Sequence, residues 1–193
     1  DIIFQAIEKY KNIFKFGLQT NATLLEEADV KFLKKYRVGV GISLDSSQPL
    51  INNRLRASAY RGGNFAKVIS AIDWFDGYEG LNIITTVTKL NVRGLPQLVK
   101  FLHARKVPCV LCNPVRLTQK NSRVLKPDVK ALARYFIEAV NTAIELSQNS
   151  KQKIVVGNFA NVILAIVAPV SRRLMCDTSP CGGGRCFFTI TAS

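Results

Sequence analysis

Apolar runs that finish in hydroxyl, amide or carboxylate side chains alternate along this chain with stripes of helical period. Val38 to Asp45 reads Val-Gly-Val-Gly-Ile-Ser-Leu-Asp, and one unit earlier Leu18-Gln19-Thr20-Asn21 ends in the same way. Near-continuous apolar runs mark strands buried on both faces, as in a parallel sheet. Ligands of such sheets collect at the carboxyl ends of the strands. Two polar strand tips in successive units therefore predict one ligand mouth.

The periodicity predicts strands over Ile13 to Thr20, Val38 to Leu44, Leu81 to Val87 and Val107 to Cys112. Helices are predicted over Asp1 to Lys11, Leu24 to Tyr36, Asn64 to Phe75, Leu95 to Arg105, Pro127 to Ser147 and Asn158 to Ala168. Thr23 stands as the N-cap of the second helix, with Glu26 three residues on in capping-box spacing. A polar loop is expected from Asp45 to Gly63. Strand alternating with helix argues for an α/β fold with a parallel sheet of βαβ units. Four strands fit either a slice of a barrel or a doubly wound sheet, and the chemistry at the loop ends has to separate the two.

Composition narrows this picture. The chain has 193 residues, of which 48% are hydrophobic and 21% charged, the make-up of a folded protein. No apolar run reaches the roughly 18 residues a membrane span needs. The nearest, Ile154 to Val170, is interrupted by Gly157, Asn158, Asn161 and Pro169 and is expected to be a buried helix. The chain opens inside a helical pattern and stops in the strand-like Thr189 to Ser193, so we expect an internal piece of a longer protein.

The formal charge is +14, contributed by Lys31 to Arg37, Lys100 to Lys106, Arg116 to Lys130 and Arg172-Arg173. Such a field attracts nucleic acid, acidic peptides or phosphorylated cofactors. A solvated basic surface, balanced by acidic residues elsewhere in the longer protein, is favoured over nucleic-acid binding. No segment interleaves basic and aromatic residues as a single-strand platform does.

Three cysteines, Cys176, Cys181 and Cys186, follow the last predicted helix in a stretch containing Gly182-Gly183-Gly184. Thiolates in a glycine-rich loop suit an iron–sulfur cluster, because glycine lets the backbone wrap sulfur closely. Zinc and a disulfide stay open, although the spacing is not the short one of structural zinc sites. Cys109 and Cys112 lie on an apolar strand and read as small buried hydrophobes. His103, the single histidine, sits on a helix and reads as a surface residue. No Ser–His–Asp or paired-carboxylate arrangement supports hydrolysis. Ser43 and Asp45 share one strand face, with Arg54 and Arg56 in the loop beyond. The two tip residues fit helix capping as well as ligand binding. A hydroxyl, a carboxylate and a guanidinium together suit a ribose and an α-carboxylate.

These stretches resemble the radical S-adenosylmethionine enzymes with a C-terminal SPASM cluster domain, closest to anaerobic sulfatase-maturating enzymes and peptide-modifying maturases. The matching runs are Gln19-Thr20-Asn21-Ala22-Thr23-Leu24-Leu25, where the family has glycine at the fourth place, and Gly41-Ile42-Ser43-Leu44-Asp45, where Gly-Pro normally follows and Ser46-Ser47 stands here. Asn53-Arg54-Leu55-Arg56 is similar to the family's His-Asp-x-x-Arg region, with one residue inserted and the His-Asp lost. Gly63-Asn64-Phe65-Ala66-Lys67-Val68-Ile69 is similar to Gly-x-Phe-x-x-Val, and Thr86 to Asn91 to the strand and Asn turn that follow.

The resemblance implies a slice of a partial (β/α)6 barrel over residues 1–150, about the third to sixth units. Residues 151–193 would then be a linker helix and the start of the SPASM domain. It implies that Ser43 and Arg56 contact S-adenosylmethionine, that Asp45 supports the same region, and that Thr20 and Asn21 line the cavity floor. Cys176 and Cys181 would be the first two ligands of an auxiliary [4Fe-4S] cluster, while Cys186 matches no usual ligand position. The Cys-x3-Cys-x2-Cys segment that holds the cofactor-cleaving cluster would lie upstream of Asp1, so this piece alone is expected to be inactive. The longer protein would cleave S-adenosylmethionine reductively to a 5′-deoxyadenosyl radical and modify a peptide or protein. Flavodoxin or ferredoxin would supply electrons, and the setting would be cytoplasmic. The alternative is a basic α/β module that binds nucleic acid or protein and carries no cluster.

Overall fold

The computed structural model of the chain describes residues 2–56, 63–116 and 120–168, without the side chains of 120 and 121. Cys176, Cys181, Cys186 and the strand expected near the end of the chain lie outside the described residues. The chain divides into two compact units, Asp1–Gly157 and Asn158–Ser193.

In the first unit the elements run α1 (Ile2–Tyr10), β1 (Gly17–Thr20), α2 (Glu27–Lys35), β2 (Gly39–Ser43), α3 (Pro49–Leu55) and α4 (Phe65–Phe75). They continue with β3 (Leu81–Val87), α5 (Leu95–His103), β4 (Cys109–Pro114), α6 (Lys120–Arg123), α7 (Val129–Gln148) and β5 (Val155–Val156). α8 (Gly157–Val167) starts at the last residue of this unit and belongs otherwise to the second.

The five strands form one parallel sheet in the order β1-β2-β3-β4-β5. Each strand pairs with its successor, so the order nowhere reverses as it does at the switch point of a doubly wound sheet. All carboxyl ends consequently lie along one edge. The register sets Val40 beside Leu81 and Ile42 beside Ile83, and these four side chains are buried with Phe75, Leu98 and Leu102 in the core. Gln19, Gly41, Asn82 and Cys109 stand in register on the opposite face. A side chain at Gly41 would come within 2.8 Å of Ile84 Cδ1, which is why the apolar β2 has glycine there. α2 packs on α4 and α5 on α7.

Several boundaries differ from those expected. β1 begins at Gly17 rather than Ile13, because the amides of Ile13 and Phe14 both bond back to Tyr10 O and finish α1. α2 begins at Glu27, capped by Glu26, whose amide donates to Asp29 Oδ2 at 2.9 Å. Thr23 is therefore no cap; its amide and hydroxyl both donate to Asn21 Oδ1. The expected polar loop contains α3, opened by Pro49 in its first turn, where the missing amide costs nothing. β4 runs two residues further than expected, to Pro114. α8 has no buried residue, against the buried helix expected; Val162, Ile166 and Val167 are exposed. No helix of the described residues is long and apolar enough to cross a membrane.

Candidate functional site at the carboxyl edge of the sheet

At the tip of β2 the chain leaves the sheet through Leu44 and Asp45, and Asp45 is only 4% exposed. A buried carboxylate is costly unless it is paired and hydrogen-bonded. Arg56 supplies the pairing: its Nη2 donates to Asp45 Oδ1 at 3.0 Å. Its Nε lies 2.8 Å from Oδ2, out of line for a hydrogen bond, so that contact is ionic. The Thr86 amide, on β3, donates to the same Oδ1 at 2.8 Å. One carboxylate thus joins the tips of β2 and β3 to the end of α3.

Two asparagines hold this arrangement. Asn52, fully buried on α3, accepts the Asp45 amide at Oδ1 (3.0 Å). Asn91, 3% exposed, donates through Nδ2 to Asp45 O at 2.7 Å and to Thr86 O at 2.9 Å. Its Oδ1 accepts the Thr88 amide at 2.7 Å and the Thr88 hydroxyl at 3.1 Å, closing the turn after β3. A third, Asn53, accepts the amides of Asn64 and Phe65 and so satisfies the start of α4. That contact needs glycine at 63: its φ is +72°, and a Cβ there would sit 2.2 Å from Asn53 Cγ.

Ser43, the last residue of β2, is half-buried and pairs in register with Ile84. Its hydroxyl has no partner among the described residues. With Nε and Nη2 of Arg56 directed to Asp45, the Nη1 edge of the guanidinium, on a side chain 22% exposed, stays available. Ser43 and Arg56 are brought to one end of the sheet; Asp45 is consumed in placing Arg56.

Thr20 and Asn21 occupy the neighbouring tip, on β1. Thr20 stands in register with Ile42, on the face opposite Ser43, and its Oγ1 accepts the Ala22 amide at 3.0 Å. Asn21 is exposed and turns back on Thr23. Gln19 is the β1 residue on the Ser43 face, and period-two alternation along the strand is the signal that would have identified it. Ala22, 1% exposed, sits at φ +57°, in the left-handed region that favours glycine. On the same face Asn82 Oδ1 is buried without a hydrogen-bond partner among the described residues. Asn52 carried no sequence signal for this role beyond being an amide near an apolar run, and Asn91 carried only that of a turn residue.

No group of three or more potential metal ligands occurs among the described residues. Cys109 and Cys112 fall on opposite faces of β4, and burial pushes the Cys112 thiol up to about 12. Neither is suited to metal or nucleophilic chemistry. His103 ends α5, half-buried, with Nε2 3.0 Å from Ser150 Oγ and 3.2 Å from Gln152 O, a packing role.

No protein-family model matches the chain. It is 50% identical over 192 residues to an uncharacterized protein of Archaeoglobus fulgidus, covering 100% of this chain and 44% of that protein. It is 31% identical over 115 residues to the cysteine-type anaerobic sulfatase-maturating enzyme of Clostridium novyi, covering 54% of this chain and 30% of the enzyme. The chain thus spans less than half the length of these relatives. Among solved structures, native anSMEcpe with bound AdoMet and Cp18Cys peptide superposes with a TM-score of 0.74 at 22% identity. That match covers 90% of this chain and 51% of the other, and shows the same fold.

Proposed function

We infer that this chain, a homologue of anaerobic sulfatase-maturating enzymes of the radical S-adenosylmethionine superfamily, forms part of the cofactor mouth of a peptide- or protein-modifying maturase. The five sequential parallel strands are read as a slice of the partial barrel, with α8 leading into a cluster-bearing domain. The observation that carries the reading is the Asp45–Arg56–Thr86 clasp at the same end of the sheet as the Ser43 hydroxyl, which has no partner among the described residues.

The donor set fits S-adenosylmethionine. Ser43 offers a hydroxyl to a ribose oxygen, and the Nη1 edge of Arg56 offers charge-assisted N–H groups to a carboxylate. Bound beside an iron–sulfur cluster, this cofactor supplies one-electron chemistry that removes hydrogen from an unactivated carbon. The residues of this chain bind and orient. Asp45 fixes the plane of the guanidinium, Asn91 and Asn52 fix Asp45, and Ala22 and Asn21 shape the adjacent tip. Asn21 is proposed to border the cavity, while Thr20, on the opposite face, holds the turn through the Ala22 amide; Cys176 and Cys181 are proposed to ligate an auxiliary [4Fe-4S] cluster. The partner class, a peptide, is supported by the peptide bound to anSMEcpe. Electrons would come from a carrier such as flavodoxin or ferredoxin in the cytoplasm.

Calorimetry with S-adenosylhomocysteine on the full-length gene product tests the mouth without turnover. Ser43→Ala and Arg56→Lys are each expected to weaken binding by about tenfold, one lost charge-assisted or hydroxyl contact. Unchanged affinity in both variants would remove the assignment.

A further inference from the structure

The carboxyl edge of the sheet carries a second feature that the cofactor mouth does not use. Residues 80–127 contain nine Lys and Arg and no Asp or Glu. Two of the nine are matched at the opposite end of the sheet, where Arg105 lies 3.3 Å from Asp73 and Lys106 2.6 Å from Asp76. The backbone gathers five others. Val115 donates to Val87 O at 2.9 Å, which brings Arg116 beside the end of β3. Lys89 donates to Leu125 O at 2.9 Å, which sets it between Arg123 and Lys126. Val92 donates to Thr88 O at 3.0 Å, which folds Arg93 onto the same turn.

All five are exposed, and no ion pair among the described residues involves Lys89, Arg93, Arg123 or Lys126. Two carboxylates that adjoin this stretch already have partners: Asp45, at the tip of β2, bonds Arg56 and Thr86, and Asp128 accepts the Ala131 amide at the start of α7. Further along the edge the sign changes, since Glu26, Glu27 and Asp29 open α2 beyond β1.

We infer that the β3–β4 side of this edge, around Lys89, Arg93, Arg123 and Lys126, docks an acidic segment of a polypeptide partner. Like charges gathered on one surface repel, and a partner's carboxylates relieve that repulsion while steering its approach. Polypeptide is favoured over nucleic acid by what the surface lacks. From residue 80 to 134 the single aromatic residue is Phe101, which packs against Phe65 and lies under Arg105. No other Phe, Tyr or Trp in that stretch offers a ring on which bases would stack. Val124 is exposed (65%) between Arg123 and Lys126 and offers an apolar contact that a peptide side chain fits. The inference rests on the maturase reading only in taking the docked segment as part of a substrate; the docking itself needs no cofactor.

The probe is a fluorescein-labelled glutamate-rich peptide titrated with the full chain and followed by anisotropy. Binding is expected to weaken steeply as salt rises. Lys89→Glu with Arg93→Glu should weaken it by at least about tenfold, and Lys89→Gln with Arg93→Gln by less. The same reversal at Lys9 and Lys11, at the end of α1, should change it by less than about twofold. Equal loss from the α1 pair would overturn the inference, as would tighter binding of a charge-matched single-stranded oligonucleotide or absence of salt-dependent binding. A full-length protein that binds peptide but not S-adenosylhomocysteine would overturn the cofactor mouth and leave the docking surface standing.

Discussion

Replacing Arg56 by Met keeps most of the apolar stem and removes the guanidinium, leaving Asp45 at 4% exposure with the Thr86 amide as its remaining donor to Oδ1. Charges about 4 Å apart in a medium of effective dielectric near 20 attract by about 4 kcal/mol before desolvation. Breaking a fully buried pair costs about 3–5 kcal/mol, because a charge is stranded. Arg56 is 22% exposed, so water offsets part of this loss. We therefore expect Arg56→Met to destabilise the chain by about 2–3 kcal/mol, between the exposed and fully buried cases. In thermal unfolding followed by circular dichroism this is a fall of roughly 4–12 °C for a chain of this size. Adding Asp45→Asn removes the stranded charge, and the double variant should recover at least about half of the loss. A cost for Arg56→Met below about 1 kcal/mol, or no recovery in the double variant, would refute the claim that Asp45 depends on Arg56.

Ala22 at φ +57° should tolerate Gly within about 1 kcal/mol, since relief of the left-handed strain offsets the buried methyl, whereas Ala22→Val should cost more than about 2 kcal/mol; melting temperatures decide. The Cys112 thiol, raised from 9.0 to about 12 by burial, should resist iodoacetamide at pH 8 in the folded chain and react only on unfolding. Because the unfolded thiol ionises first, its contribution should also erode stability as pH climbs from about 9 towards 12, a trend that Cys112→Ala removes in denaturant titrations. Asp76 is held below its usual 3.8 by the hydrogen bond and charge of Lys106, so Lys106→Ala should return its titration, followed by NMR, to the ordinary carboxylate range.

β3 was legible to the residue because Leu81 to Val87 combines β-branched side chains with strict alternation of burial. α3 was not, since Pro49-Leu50-Ile51-Asn52-Asn53 reads as loop, and its helical form is supported by Asn52 and Asn53 bonding to segments distant in sequence. β5, two residues long, has no periodicity to detect. The start of α2 was misplaced because Thr20 and Asn21 spend their side chains on turns that hold residues 20–23 out of the helix. At the site, the polar tips Ser43 and Asp45 stood out as the ends of an apolar run. The pairing of Asp45 with Arg56 did not, because it depends on α3 turning the chain back over the strand tip. Asn91 was visible only as a turn residue, although its side-chain amide also reaches beyond that turn to the ends of β2 and β3.

A sheet whose spatial order follows the chain grows by concatenation. A further strand–helix unit joined before β1 or after β5 extends the same rim without rerouting any existing connection. New chemistry can thus be spliced onto either flank of such an architecture while the Asp45 clasp keeps its place between two strands that have neighbours on both sides.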